Sequence, residues 1–496
     1  MLPGRFIYHA AVLAAAAALL SVSSCGDRNR SNGLLPIAQK ALGDSSSIYY
    51  ADFPEYPREL SDLPIGIFDC SPDGFTVAER FLTADNFDNI TGRSGSDGIA
   101  DFGGEYFQIL YDRANSPYGG YIDAGNPAFL KEQLIRNTLF LMSDRYYNLA
   151  VDEYQSGYKD PVKIVIVPSP VADYYALSDI QALLDRSGTG VKAVGVIESS
   201  IREALKGVDE DGNFCVGVLY SPEGVTSREY EAAIRKMASD SGVTGRIQVF
   251  NQEGLGIEEA LAGNPAYLDT SAKVSRSGYA GPVTGISYNN INASLFDRYG
   301  FDTVGNALLF PAGGRNISGV QLNSVENYVR YHLVSMVERH RRSGSRVPIS
   351  SIILADCGYD RLRGVMDRIM VELYNYRRGG IYLYRSSISP DFRFIDPAEC
   401  AVSEAYRILR EDGNLALRGT KSTLSPFITM PSSSVPADSL DSSGFFRETF
   451  LFGRVSGTED VTTKAVPFTP RYIDAEELGE IEYNHETFTL IRNALY

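Results

Sequence analysis

The sequence predicts an α/β protein of two flavodoxin- or Rossmann-like lobes, each built on a parallel sheet, with a cleft between them, an insertion and a C-terminal extension. Three observations predict it. Short apolar runs alternate with helical stretches along most of the chain, the pattern of strand–helix–strand units. The runs are continuous and rich in β-branched residues, as expected of strands covered on both faces. At 496 residues the chain exceeds one core, and roughly 150 residues per domain gives two or three.

Residues 1–24 read as a secretory signal. Arg5 supplies a positive start, and 10–20 is an Ala/Leu/Val run too short to span a bilayer. Ser21, Ser23 and Ser24 then lead to Cys25 and Gly26, which resembles a bacterial lipoprotein cleavage site with Cys25 as the lipidated first residue, although Val22 stands where Leu is usual. The expectation is an exported protein of the cell envelope, attached to a bacterial membrane only through the Cys25 lipid. Residues 25–60, rich in Ser, Asp, Asn and Gly, read as a tether.

Strands are expected at 65–68, 106–111, 162–167, 191–196, 215–219, 247–250, 351–354 and 392–395. Helices are expected at 130–142, 172–184, 228–237, 324–341, 362–373 and 401–409. The lobes are placed at 61–182, completed by 368–412, and at 183–367. Within the second, 264–323 is an insertion rich in Gly, Asn, Ser and Tyr. Residues 413–496 form an extension that packs on the body. Ligands of such sheets sit at the carboxyl ends of strands, so the loops after strands are where function is sought.

Composition narrows the function. With 46 basic against 62 acidic residues, the net charge is −16, which disfavours nucleic acid and anionic membrane surfaces. Cys70, Cys215, Cys357 and Cys400 are widely spaced with no CxxC pair. His332, His340 and His485 show no ligand spacing with them, so neither a metal nor another cofactor is expected.

The loop after the first strand, Asp69-Cys70-Ser71-Pro72-Asp73-Gly74-Phe75-Thr76-Val77, is similar to the opening motif of the aspartate/glutamate racemases, Asp-Ser-Gly-x-Gly-Gly-Leu-Thr-Val. The loop after the second strand, Asp112-Arg113-Ala114-Asn115-Ser116-Pro117-Tyr118-Gly119, resembles that family's Asp-Thr-Ala-x-x-Pro-Tyr-Gly. Gly195-Val196-Ile197-Glu198, the stretch 216–231 and Phe394-Ile395-Asp396 follow in the family's order, so the resemblance spans about 62–412 outside the insertion.

The resemblance implies a cleft lined by Asp69, Cys70, Tyr118, Ser169 and Cys357, with Pro117, Tyr118, Gly119 and Val171 touching ligand. It also implies proton transfer between two cysteines on opposite faces of an α-carbon. Here the first cysteine is replaced by Ser169, and its Asn and Thr neighbours by Pro170 and Val171. The second, Cys357, is kept, but Tyr359 stands where a His assists it and Asp356 where a Gly stands. A serine hydroxyl holds its proton far more tightly than a thiol of pKa about 8.5, so two-thiol racemisation is not expected. Cys70 is a tentative displaced second thiol, or a disulfide partner of Cys357.

Three functions stay open. The first is a degenerate or repurposed protein binding a small acidic or cell-wall-related ligand. The second is a single-thiol isomerase or decarboxylase using Cys357 as proton donor, as arylmalonate decarboxylases of that superfamily do. The third is an envelope interaction protein whose function lies in the insertion and extension.

Overall fold

The structure, a computed structural model, describes residues 33–209, 211–222, 227–287, 289–416 and 421–495. The expected signal segment and Cys25 lie outside the described residues. No helix among those described is long and apolar enough to cross a membrane.

Ten strands make the two main sheets: β1 Ile65–Asp69, β2 Tyr106–Tyr111, β3 Ile164–Val167, β4 Lys192–Gly195, β5 Phe214–Tyr220, β6 Ile247–Glu253, β7 Ile349–Ala355, β8 Ile388–Ile395, β9 Thr423–Pro431 and β10 Thr463–Pro467. The first sheet runs β10-β9-β2-β1-β3-β4 and the second β8-β7-β5-β6. Every pairing is parallel except β9 with β10. All eight strands expected from the sequence are present. Every residue of β1 and β3 is buried, which is why their apolar runs are unbroken.

Leave aside β9 and β10, and number each sheet's strands in chain order. Both then read second-first-third-fourth. Two lobes wound alike therefore each have a switch point between their first and third strands, β1/β3 in one and β5/β7 in the other.

The sheets divide the chain differently from the lobe limits at 183 and 368. β4, beyond 183, hydrogen-bonds to β3 in the first sheet, and β8, within 368–412, pairs with β7 in the second. Residues 36–60 are likewise not a free tether. Pro36 opens the helix Pro36–Gly43, whose Ile37, Ala38 and Ala41 form one buried stripe, and Phe53 and Leu60 are buried further on. The overall polarity of the stretch hid that spacing.

The stretch 264–323 is mostly irregular. Its Ile291, Leu295, Tyr299, Leu308, Val320 and Leu322 nonetheless join the core of the second lobe. The extension does more than pack on the body: β9 adds directly to β2, in parallel, and β10 closes that edge. The helices Ala475–Tyr483 and His485–Leu495 follow, the latter against the helix Asp73–Thr83.

Candidate functional site

The helix Asp73–Thr83 carries the first lobe's site loop. Phe75, Val77, Ala78 and Phe81 bury one of its faces, which fixes its start directly after β1. Asp69, at the end of β1, is 3% exposed. Its Oδ1 accepts the Cys70 N–H at 2.6 Å. Burial first, then the charge of Asp73, pushes the Asp69 carboxyl well up. Asp73 itself is raised by burial.

The second lobe contributes residues that follow β5, β6 and β7. Asp356 caps the turn Cys357–Leu362 by accepting the Gly358 N–H at 2.8 Å. Its carboxyl is pushed well up by burial, then by Glu258 and Asp73. Glu258, on the short helix Ile257–Leu261, is raised by burial and is hydrogen-bonded to the Ser221 hydroxyl and to Asp356. Between the two, Glu258 pushes Asp356 further up, while the Asp356 contact offsets part of the effect of burial on Glu258. Glu258 Oε1 is buried with no hydrogen-bond partner among the described residues. The fully buried Tyr359 stands against the same two acids, and burial and their charge raise its hydroxyl.

Asp73 links four carboxyls, acting on Asp69 in its own lobe and on Glu258 and Asp356 in the other, and the space between these loops is the gap between the lobes. The rim of the gap carries the counter-charge. Arg80 pairs with Asp360 and, at 3.4 Å, with Asp396, joining the first lobe's helix to segments after β7 and β8. The Arg361 guanidinium lies 4.4 Å from the centre of the Tyr483 ring, and its charge acts on Asp73 and on Glu480 of the same C-terminal helix.

Behind the loop lies a second carboxylate of opposite character. Asp112 is fully buried and accepts from Asn115 Nδ2 at 2.6 Å, Asn137 Nδ2 at 2.7 Å, Tyr118 Oη at 2.9 Å, Thr429 Oγ1 at 2.9 Å and Gln133 Nε2 at 3.3 Å. Burial raises its carboxyl, and these bonds pull it back. The extension completes this network: Thr429 lies on β9, and Arg454 donates to Asn115 Oδ1 at 2.6 Å.

The residues expected to form the site divide. Asp69 and Cys70 lie in the loop that faces the gap. The Cys70 thiol is free and buried, and burial followed by the Asp69 charge pushes it well up, so it is a poor thiolate. The Tyr118 hydroxyl is committed to Asp112 and to Asn137, 3.0 Å away, and not to a ligand. A buried phenol beside a buried carboxylate is held by it, which the Pro-Tyr-Gly pattern could not show.

Ser169 is the N-cap of the helix Pro170–Ser187, where its side chain accepts the Ala172 N–H at 3.4 Å. Val171 is buried in the first turn of that helix. Pro117 is exposed after a cis Ser116–Pro117 bond, and Gly119 is half-buried. The Cys357 side chain lies outside the described residues. Among those described, no cluster of His, Cys, Asp and Glu could hold a metal ion.

Sequence reasoning missed Asp73 and Glu258 as site residues. Glu258 follows a strand in an unremarkable Gly-Ile-Glu-Glu stretch, and only the folded second lobe turns it toward Asp356. Asp356 carried the one usable signal, a carboxylate where the racemase pattern has Gly.

No family model and no curated protein sequence matches the chain. Among solved structures, it is similar to the glutamate racemase isoform RacE1 of Bacillus anthracis, at 16% identity with a TM-score of 0.40 over 74% of this chain and 89% of that one. It is also similar to glutamate racemase of Thermus thermophilus in complex with β-chloro-D-alanine, at 16% identity and TM-score 0.35 over 74% and 88%. A third is glutamate racemase of Francisella tularensis in complex with D-glutamate, at 14% and 0.35 over 80% and 95%.

Proposed function

We propose that the chain is an exported, lipid-anchored binding protein on a racemase-like scaffold, which holds a small zwitterion of amino-acid type in the gap between its lobes and does not racemise it. The observation that carries this reading is the set of four raised carboxyls at the two switch points, Asp69, Asp73, Glu258 and Asp356. Carboxyls that repel one another in a half-buried site are stabilised by a cation placed among them, so the ligand's ammonium belongs there. Its carboxylate belongs at Arg361, the nearby cation held over Tyr483.

The same surroundings argue against thiol chemistry, because acid neighbours keep the Cys70 proton in place and Ser169 is spent as a helix cap. Calorimetry with L- and D-glutamate and L- and D-alanine tests the reading. One of the four binds with proton release, seen as a heat that depends on the buffer. Asp73→Asn weakens that binding about tenfold or more, the order expected for a hydrogen bond to a charged group. Polarimetry detects no inversion of glutamate. Inversion by the parent protein, or binding indifferent to Asp73→Asn, defeats the proposal.

A further inference from the structure

The gap between the lobes is not the molecule's only concavity. A cavity of about 750 Å³ lies on the other side of the Asp112 network, among the helix Pro127–Met142, the hairpin Arg145–Asn148/Glu153–Ser156, the segment 48–57 and the outer strands β9 and β10. None of the four gap carboxyls lines it. Protein interiors leave few voids larger than a water molecule, and 300–1,000 Å³ is the range of small-molecule sites. β9 and β10 widen the first sheet past β2, and the segment 48–57 and the hairpin line the space beside them.

Its walls indicate what would fill it. Six aromatic rings face it: Tyr49, Tyr50, Phe53, Tyr56, Phe140 and Tyr154. Its two arginines are engaged. Arg136 is 3.0 Å from Asp460 Oδ2, and Arg145 donates to the Ile48 carbonyl at 3.2 Å. With Asp52, Glu55 and Asp144 also on the lining, anions are disfavoured.

Two of the rings are already met by basic groups of the protein's own: Lys159, whose amine burial lowers to about 7, lies 4.8 Å from the centre of the Phe140 ring, and Arg145 lies 5.7 Å from that of Tyr154. What remains suited is a neutral molecule with an apolar ring face for the aromatic walls and hydroxyls for the carboxylates, amides and guanidinium edges.

We propose that this cavity is a second binding site, separate from the gap, for a neutral polyhydroxylated ring, a mono- or disaccharide. The test uses the full chain and calorimetric titration with cellobiose, maltose and lactose, with choline chloride and sodium benzoate as the cationic and anionic probes. One of the three sugars binds in the millimolar range or tighter, and neither ion does. Tyr154→Ala removes a largely exposed wall and weakens binding about tenfold, while Ala465→Leu fills the cavity floor and abolishes it.

Thermal unfolding followed by circular dichroism establishes that each variant is folded. Should Ala465→Leu not fold, Tyr154→Ala still decides, since its side chain is not part of the core. No sugar binding, preferential binding of choline or benzoate, or sugar binding unchanged in folded Tyr154→Ala overturns the proposal.

Discussion

Asp112, fully buried, and Asp356, half-buried, both stand at the ends of parallel strands and both are raised by desolvation, yet their surroundings are opposite. Asp112 is met by five donors drawn from β9, the helix Pro127–Met142 and its own loop. Asp356 is met by one backbone N–H and by other acids. The first arrangement satisfies a charge and fixes the loop after β2. The second leaves charges unresolved in a gap, which stabilises nothing unless something else arrives. Desolvation alone therefore does not distinguish a structural carboxylate from a binding one; the partners do.

The difference breaks most sharply at Asp112. Asp112→Ala leaves five buried donors without their acceptor, so urea unfolding should show a loss of roughly 3–5 kcal/mol. A loss under about 1 kcal/mol would mean that water or rearrangement replaces the carboxylate.

Asp356→Asn should act in the other direction. An acid whose native value is raised binds more protons folded than unfolded, so its contribution to stability falls as pH climbs from the ordinary value of 3.8 through the native one. The variant should therefore match the parent at pH 4. At pH 8 it should melt higher, by on the order of 2 °C, the shift that about 1 kcal/mol produces in a protein of this kind. A lower melting point at pH 8 would show Asp356 to be stabilised in its ionised form, as no isolated acid in that gap could be.

The smallest effect belongs to Arg80, which is about one-third exposed and ties the gap's rim to Asp360 and Asp396. Arg80→Ala should cost about 0.5–1 kcal/mol in the same urea titration, and less at high salt. A salt-independent loss would point to packing of its aliphatic stem instead.

Much of the fold was legible because the signals were local. A continuous β-branched run such as 164–167 can be little else than a covered strand, and the apolar spacing of 130–142 announces a helix whatever surrounds it. β9 and β10 escaped notice because Pro426, Pro431 and a run of serines mask them. Pro426 is tolerated within β9 because the pairing with β10 starts only at Phe427.

The sequence by itself determined the covered strands of the two parallel sheets and the helices that alternate with them. Those follow from residue type and short-range spacing. Tertiary structure alone decided that β4 belongs to the first sheet and β8 to the second, that Thr429 and Arg454 reach back to complete the Asp112 network, and that Glu258, Asp356 and Asp73 come close enough to act on one another. Each joins residues far apart in the chain, and the energy of a buried charge depends on which groups end up within a few ångströms of it, a quantity no local pattern carries.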